Sequence, residues 1–284
     1  VDAAVVADAV GRFGDDLDSA ARFVASEAGR RGSDDNLTIQ IVRVESLPEG
    51  DASDLLGQLK ELPFPPPLEA GMDLDGYRLV RQLHANSRSQ IYLAEDRETA
   101  RLEVIKVPAV EMREDRAHLQ RFMMEEWIAR RVDSPHALKS PEPARQRSCL
   151  YNVTEYIEGA TLTQWMLDNP LPELNVVRDL VEQIARGLRA FHRLEMVHQD
   201  LRPDNIMIDR TGTARIIDYG SVRVPGLLEA QRGFGGEEPL GTLQYMAPEY
   251  LLGEFATERS DIFSLGVIAY QLLTGHLPYG ASAA

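Results

Sequence analysis

The sequence predicts an α+β chain of two lobes, a small antiparallel sheet followed by a helical body, with a short helix–strand piece in front. Three observations carry that expectation. Period-two apolar alternation crowds between residues 77 and 107, and helical spacing dominates 173–193 and 260–274. An acidic, proline-rich stretch at 46–75 separates this body from what precedes it.

In the first piece, Leu17, Ala21, Phe23, Val24 and Ala28 recur at near-helical spacing over 16–30, ending at Gly32. The turn Gly32-Ser33-Asp34-Asp35-Asn36-Leu37-Thr38 then leads into Ile39-Gln40-Ile41-Val42-Arg43-Val44, which alternates as a strand does. About 45 residues bury too little surface to fold alone, so 1–45 is expected to be part of a domain. Residues 46–75 read as an interdomain linker. Positions 51–76 hold six acidic residues and one basic, and Pro63-Phe64-Pro65-Pro66-Pro67 favours stiff, extended backbone. Leu55, Leu56, Leu59 and Leu62 form a brief helical pattern before the prolines.

From Gly76 the elements thicken. Tyr77–Leu83 and Ser89–Ala94 read as strands around a turn, Leu102–Val107 as a third, and Cys149–Thr154 as a later one. His118–Val132 has helical periodicity, with Leu119, Phe122, Met123, Trp127 and Ile128 apolar. The small lobe is placed at 76–158 and the large lobe at 159–284.

Composition narrows the function. The 284 residues carry a formal net charge of −15 and one cysteine. One cysteine excludes a disulfide framework and a clustered-thiolate zinc site, and suits a reducing, cytoplasmic setting. The acidity argues against nucleic acid or anionic lipid as a partner. The longest apolar run, Ile262–Leu273, is broken by Ser264, Gly266 and Gln271 and is too short to span a bilayer, so no membrane contact is expected. Cys149 reads as a small core hydrophobe. His84, His118, His136, His192 and His276 lack metal-ligand spacing.

The chemistry-bearing stretch is His198-Gln-Asp-Leu-Arg-Pro-Asp-Asn205, followed by Asp218-Tyr-Gly220 and Ala247-Pro-Glu249. Asn205 lies five positions after Asp200, and Asp218 eighteen. Upstream, Lys106 sits on the third expected strand and Glu125 follows nineteen positions later on the expected helix. In order and spacing this set resembles the protein kinases. The resemblance covers 76–284 and implies a two-lobe kinase fold using ATP and Mg²⁺, with Mn²⁺ as an alternative metal.

It implies roles as well. Asp200 would take or orient the proton of the incoming hydroxyl. Asn205 and Asp218 would hold the metal, and Lys106, fixed by Glu125, would bind phosphate. Glu126 is the register rival to Glu125. Thr154-Glu155-Tyr156-Ile157 resembles the hinge, where backbone groups of Glu155 and Ile157 would bind adenine with Thr154 guarding the pocket. His198 would brace the metal turn. Thr242, in Gly241-Thr-Leu-Gln-Tyr245, implies a protein partner with a Ser/Thr acceptor.

The departures are as informative. The three glycines of the family's phosphate loop correspond to His84, Asn86 and Ser89, leaving backbone amides around Asn86 and Ser89, with Arg88, to meet phosphate. Gln199 replaces the arginine that receives a loop phosphate, and Ser221 is the one Ser or Thr between Gly220 and Gly241. Activation-loop phosphorylation is therefore not expected to switch this protein. Arg202 stands for the usual catalytic-loop lysine, and Tyr219 for phenylalanine, a mild change. A pseudokinase that binds nucleotide and regulates an attached domain is the alternative reading.

Arg31-Gly-Ser-x-Asp35-Asn-x-Thr38 before a strand is similar to the carboxy-terminal end of the PP2C-like Ser/Thr phosphatases. In that family Asp35 would be a Mg²⁺ or Mn²⁺ ligand. The chain thus resembles a bacterial phosphatase–kinase fusion, with its own phosphatase domain as a partner. It is expected to hold parts of two domains. The upstream metal aspartates of the phosphatase and the last large-lobe helices, which carry the usual arginine partner of Glu249, are expected to be missing. One carboxylate cannot hold a dinuclear site, so the phosphatase remnant is expected to be inactive.

Overall fold

The computed structural model describes residues 3–33, 37–42, 62–141, 145–224 and 243–280, divided between two units, Val1–Asp51 and Ala52–Ala284. The first unit is a helical hairpin. Helix α1 (Ala3–Phe13) was not legible in the spacing read above; α2 (Leu17–Arg30) matches its expected span. Asp16 caps α2, its carboxylate accepting from Ser19 N at 3.0 Å. Ala9, Ala20 and Val24 are buried between the helices, with Phe13, Phe23, Ile39 and Ile41 packed on them. Residues 37–42 form no regular strand, which corrects the strand expected over 39–44 as far as it is described. A strand exists only through a partner, and none lies among the described residues of this unit. The pattern at Leu55–Leu59 and the turn at Asp34–Asn36 fall outside the described residues.

The second unit opens with a five-stranded antiparallel sheet in sequential order: β1 (Asp73–Leu74), β2 (Tyr77–Ala85), β3 (Ser89–Asp96), β4 (Leu102–Pro108) and β5 (Asn152–Glu155). Leu79, Tyr92, Ile105, Val107, Cys149 and Tyr151 form the core on one face, so Cys149 is the buried hydrophobe expected. Part of the expected linker belongs to this lobe. Leu150 N donates to Pro63 O at 3.0 Å, Tyr92 Oη donates to Leu68 O at 2.8 Å, and Pro65 is buried. The last expected strand starts three residues late. The backbone ahead of β5 bonds elsewhere: Leu150 N donates to Pro63 O, and Tyr151 O accepts from Arg147 Nη1 at 2.8 Å. Helix α3 (Arg116–Arg131), capped by Asp115, runs beside β5, and its buried Phe122 and Met123 cluster with Leu150 just ahead of that strand.

The large lobe follows. Strand β6 (Gly159–Thr161), β7 (Ile206–Asp209) and β8 (Ala214–Ile216) make a small antiparallel sheet, with α4 (Leu162–Asp168) beside it. Helix α5 (Leu174–His192) buries Leu180, Ile184, Leu188 and Phe191, a stripe at helical spacing, against α7 (Glu258–Thr274). Short α6 (Pro248–Leu251) precedes α7. A capping box of Thr257 and Ser260 starts α7, and Gly275, at φ 73°, ends it in the left-handed geometry glycine tolerates. Glu249 accepts from Ser260 Oγ, which ties α6 to that box. The fold is the α+β, two-lobe arrangement expected.

Candidate active site

Strand alternation decides where Lys106 goes. In β4 Glu103, Ile105 and Val107 are buried on one face, so Val104 and Lys106 take the other. Lys106 Nζ donates to Glu125 Oε2 at 2.7 Å and stands 3.6 Å from Asp218 Oδ1. The register rivalry on α3 is settled by what each glutamate meets. Neighbours on a helix point about 100° apart. Glu126 therefore faces Arg147, whose Nη2 lies 2.6 and 2.5 Å from its two carboxylate oxygens. Asn152 Nδ2 donates to Phe122 O at 2.6 Å and holds α3 to the sheet.

Burial works to lower the Lys106 ammonium, but the Asp218 and Glu125 carboxylates outweigh it and hold the group above its ordinary value. Burial pushes Glu125 up, and Lys106 draws it back, to about 7. Lys106 in turn holds Asp218 below the usual carboxylate range. Lys106 and Glu125 are largely enclosed, whereas the Asp218 side chain is 41% exposed and open to an incoming group.

The loop between α5 and β7 carries Asp200 and Asn205. Asn205 Nδ2 donates to Asp200 O at 2.8 Å and to Asp200 Oδ2 at 3.1 Å. Burial raises the Asp200 carboxyl, with His198, Arg202 and Asn205 pulling it back. The loop hangs from buried Asp261 of α7, which accepts from His198 N at 2.9 Å and Gln199 N at 3.0 Å; His192 Nε2 lies 2.8 Å away. Gln199 takes φ 68°, a costly left-handed backbone for a non-glycine residue, and these bonds hold it there. Sequence reasoning gave Asp261 no role; an acid at the head of a largely apolar helix was the available signal. Arg202 pairs with Asp204, which also accepts from Thr163 Oγ1 at 2.8 Å.

In the turn Asp218–Gly220, Gly220 N donates to Asp218 Oδ1 at 3.1 Å. A Cβ at Gly220 would lie 3.1 Å from Glu125 Oε1, so glycine permits this close approach. His198, fully buried, packs edge-on near Tyr219, with ring centroids 6.4 Å apart.

The residues expected to form the hinge sit at and just beyond the end of β5. Thr154 pairs with Val104 and Glu155 with Glu103. Glu155 N donates to Lys139 O at 3.0 Å, and its side chain accepts from Lys139 N and from Arg215 Nη1, each at 2.9 Å. Ile157 is buried just beyond. The hairpin between β2 and β3 needs no glycine geometry, since none of residues 84–89 has a positive φ. Asn86 makes the turn instead: its Oδ1 accepts from Arg88 N at 2.9 Å and Ser89 N at 2.8 Å. Asp35 and Thr242 lie outside the described residues.

Comparison with known proteins decides the family. Residues 77–284 match the model described as "Protein kinase domain". The chain belongs to the protein kinase family. Among curated relatives, this kinase is 30% identical over 212 residues to the Serine/threonine-protein kinase PrkC of Bacillus subtilis (strain 168), covering 73% of this chain and 32% of the relative. It is 33% identical over 210 residues to PknA of Corynebacterium glutamicum, covering 72% and 44%. With PknL of Mycobacterium bovis the identity is 30% over 219 residues, covering 77% and 54%. The kinase chain thus spans from about a third to about half the length of these relatives. No helix among the described residues is long and apolar enough to cross a membrane.

The donor set suits a hard divalent cation brought in with nucleotide. Asp218 and Asn205 offer oxygen ligands, and among the described residues no three His, Cys, Asp or Glu side chains could cage an ion by themselves. Mg²⁺ needs just that arrangement when phosphate and water complete its octahedron.

Proposed function

We propose that this chain is the catalytic part of a cytoplasmic Ser/Thr protein kinase, acting on the hydroxyl of a protein substrate. The observation that supports it best is the convergence on Lys106 of Glu125 from α3 and Asp218 from the turn after β8. ATP, bound with Mg²⁺, supplies the γ-phosphoryl group. Lys106, oriented by Glu125, binds phosphate oxygens, and Asp218 and Asn205 hold the metal. Asp200 takes the proton of the acceptor hydroxyl; its raised carboxyl is better matched to that task near neutral pH. Glu155, whose amide is already engaged, offers its carbonyl to adenine, and Ile157 its amide. Thr154 borders that pocket, amides around Asn86 and Ser89 meet the phosphates, Arg202 sits beside the reacting groups, and Thr242 orients the acceptor.

The test is Mg·ATP phosphotransfer to protein substrate by the full-length protein against Asp200→Ala. A fall of about 10²- to 10⁴-fold is expected. Equal rates, with nucleotide still bound, would leave the regulatory pseudokinase. For the first unit we infer a PP2C-like end over 1–45, joined by 46–75 to the kinase at 76–284 and carrying the metal ligand Asp35. Its support is the Arg31–Thr38 motif. Asp35→Asn in the full-length protein should abolish Mn²⁺-dependent phosphate release from a phosphoserine peptide; undiminished release refutes the assignment.

A further inference from the structure

The replacement of phenylalanine by Tyr219 reads as mild in sequence, but its hydroxyl has a specific partner. Tyr219 is buried, its ring edge-on to Phe191 of α5 with centroids 5.1 Å apart. Oη donates to the Leu138 carbonyl at 2.9 Å, with the Ile216 carbonyl at 3.1 Å sharing the same proton. Leu138 is not part of the turn. It lies in the segment that leads from α3 toward the hinge, and that segment is itself anchored: Leu138 N donates to Ile216 O at 2.8 Å, and Ile216 N to His136 O at 3.0 Å. The next residue, Lys139, exchanges two hydrogen bonds with Glu155. The bond from Tyr219 therefore joins the turn carrying Asp218 to the fixed backbone between α3 and the hinge.

Swinging the turn outward would leave the part-buried Leu138 oxygen without this donor. An acceptor even partly shielded from water is destabilised when its partner is taken away. A phenylalanine ring fills the same space but offers no such restraint. The chain needs one, because the sequence has Gln199 where a phosphate-receiving arginine would stand and Ser221 as the one Ser or Thr between Gly220 and Gly241. The geometry points to Tyr219 as a positioning residue: its hydroxyl latches the Asp218 turn to the Leu138 carbonyl and keeps the metal ligand in place without a phosphorylated loop. This inference rests on the active-site reading above for what Asp218 does, not for whether the latch exists.

Tyr219→Phe removes only the hydroxyl, and two measurements on the full-length protein test it. The first is deuterium exchange of the nucleotide-free protein, read on peptides covering 217–222. Exchange there should quicken about two- to ten-fold, the worth of one neutral hydrogen bond, while peptides from α5 and α7 stay unchanged. The second is the Mg²⁺ concentration that half-saturates binding of a fluorescent ATP analogue, which should rise by a similar factor. A hydroxyl that merely adds stability would lower the melting temperature and leave the Mg²⁺ requirement alone. Unaltered exchange at 217–222 overturns the latch whatever the protein's activity. Wild-type binding that ignores Mg²⁺ overturns the active-site reading instead, and exchange still reports on the latch.

Discussion

Two turns of this chain, Asp218–Gly220 and Asn86–Ser89, are held by opposite means. The first is fixed from outside by groups on other elements: the part-buried Lys106 of β4 and Leu138 carbonyl, and the buried rings of Phe191 and His198. The second is exposed at Asn86, Ser87 and Arg88 and mostly ties itself, through one carboxamide and the Asn86 N to Ser89 O bond of 3.0 Å. Outside contacts to the hairpin go to the Arg88 carbonyl, from Ala109 N at 2.9 Å and His118 Nε2 at 3.1 Å. A turn locked by distant residues transmits changes in them. A turn locked by its own side chain feels little beyond that side chain.

The largest effect should therefore come through the buried network. Glu125 has its carboxyl raised from an ordinary 4.5 to about 7, chiefly by burial. The folded protein then holds this proton more tightly than the unfolded chain, so this group by itself costs stability as pH rises from about 4.5 to 7. For activity the sign is reversed, since below about 7 the protonated carboxyl no longer restrains Lys106. A pH profile of kcat/KM should fall on the acid side of about 7, and Glu125→Gln should flatten that limb while lowering the plateau about 10- to 100-fold. An acid limb that survives in Glu125→Gln assigns it to another group, Asp200 first.

A smaller effect is expected at the self-tied hairpin. Asn86→Gly releases the amides of Arg88 and Ser89, which can then turn to phosphate. The KM for ATP should drop about two- to five-fold, within the range of one or two exposed hydrogen bonds. A rise instead would mean that Asn86 preorganises these amides for phosphate, and the contrast between the two turns would narrow.

Much of this was legible in the sequence where one element suffices. Period-two spacing located β2, β3 and β4, and apolar spacing located α3. Motif order brought Lys106, Glu125, Asp200, Asn205 and Asp218 forward as a set. The misses share a cause. The strand expected at Ile39–Val44 and the early start at Cys149 both depended on partners that alternation cannot reveal, and part of the linker proved to be a strap on the small lobe because Leu150 and Tyr92 bond it.

By itself, the sequence determined the kinds and order of these elements and the residue types that chemistry needs, because helix and strand periods and turn preferences act over a few residues. Tertiary structure alone decided what Glu126 meets in place of Lys106, what suspends the loop carrying Asp200, and what Tyr219 holds. Those outcomes turn on burial and on partners such as Asp261 and the Leu138 carbonyl, dozens of positions away in the chain. A backbone carbonyl leaves no mark in the sequence that names its donor.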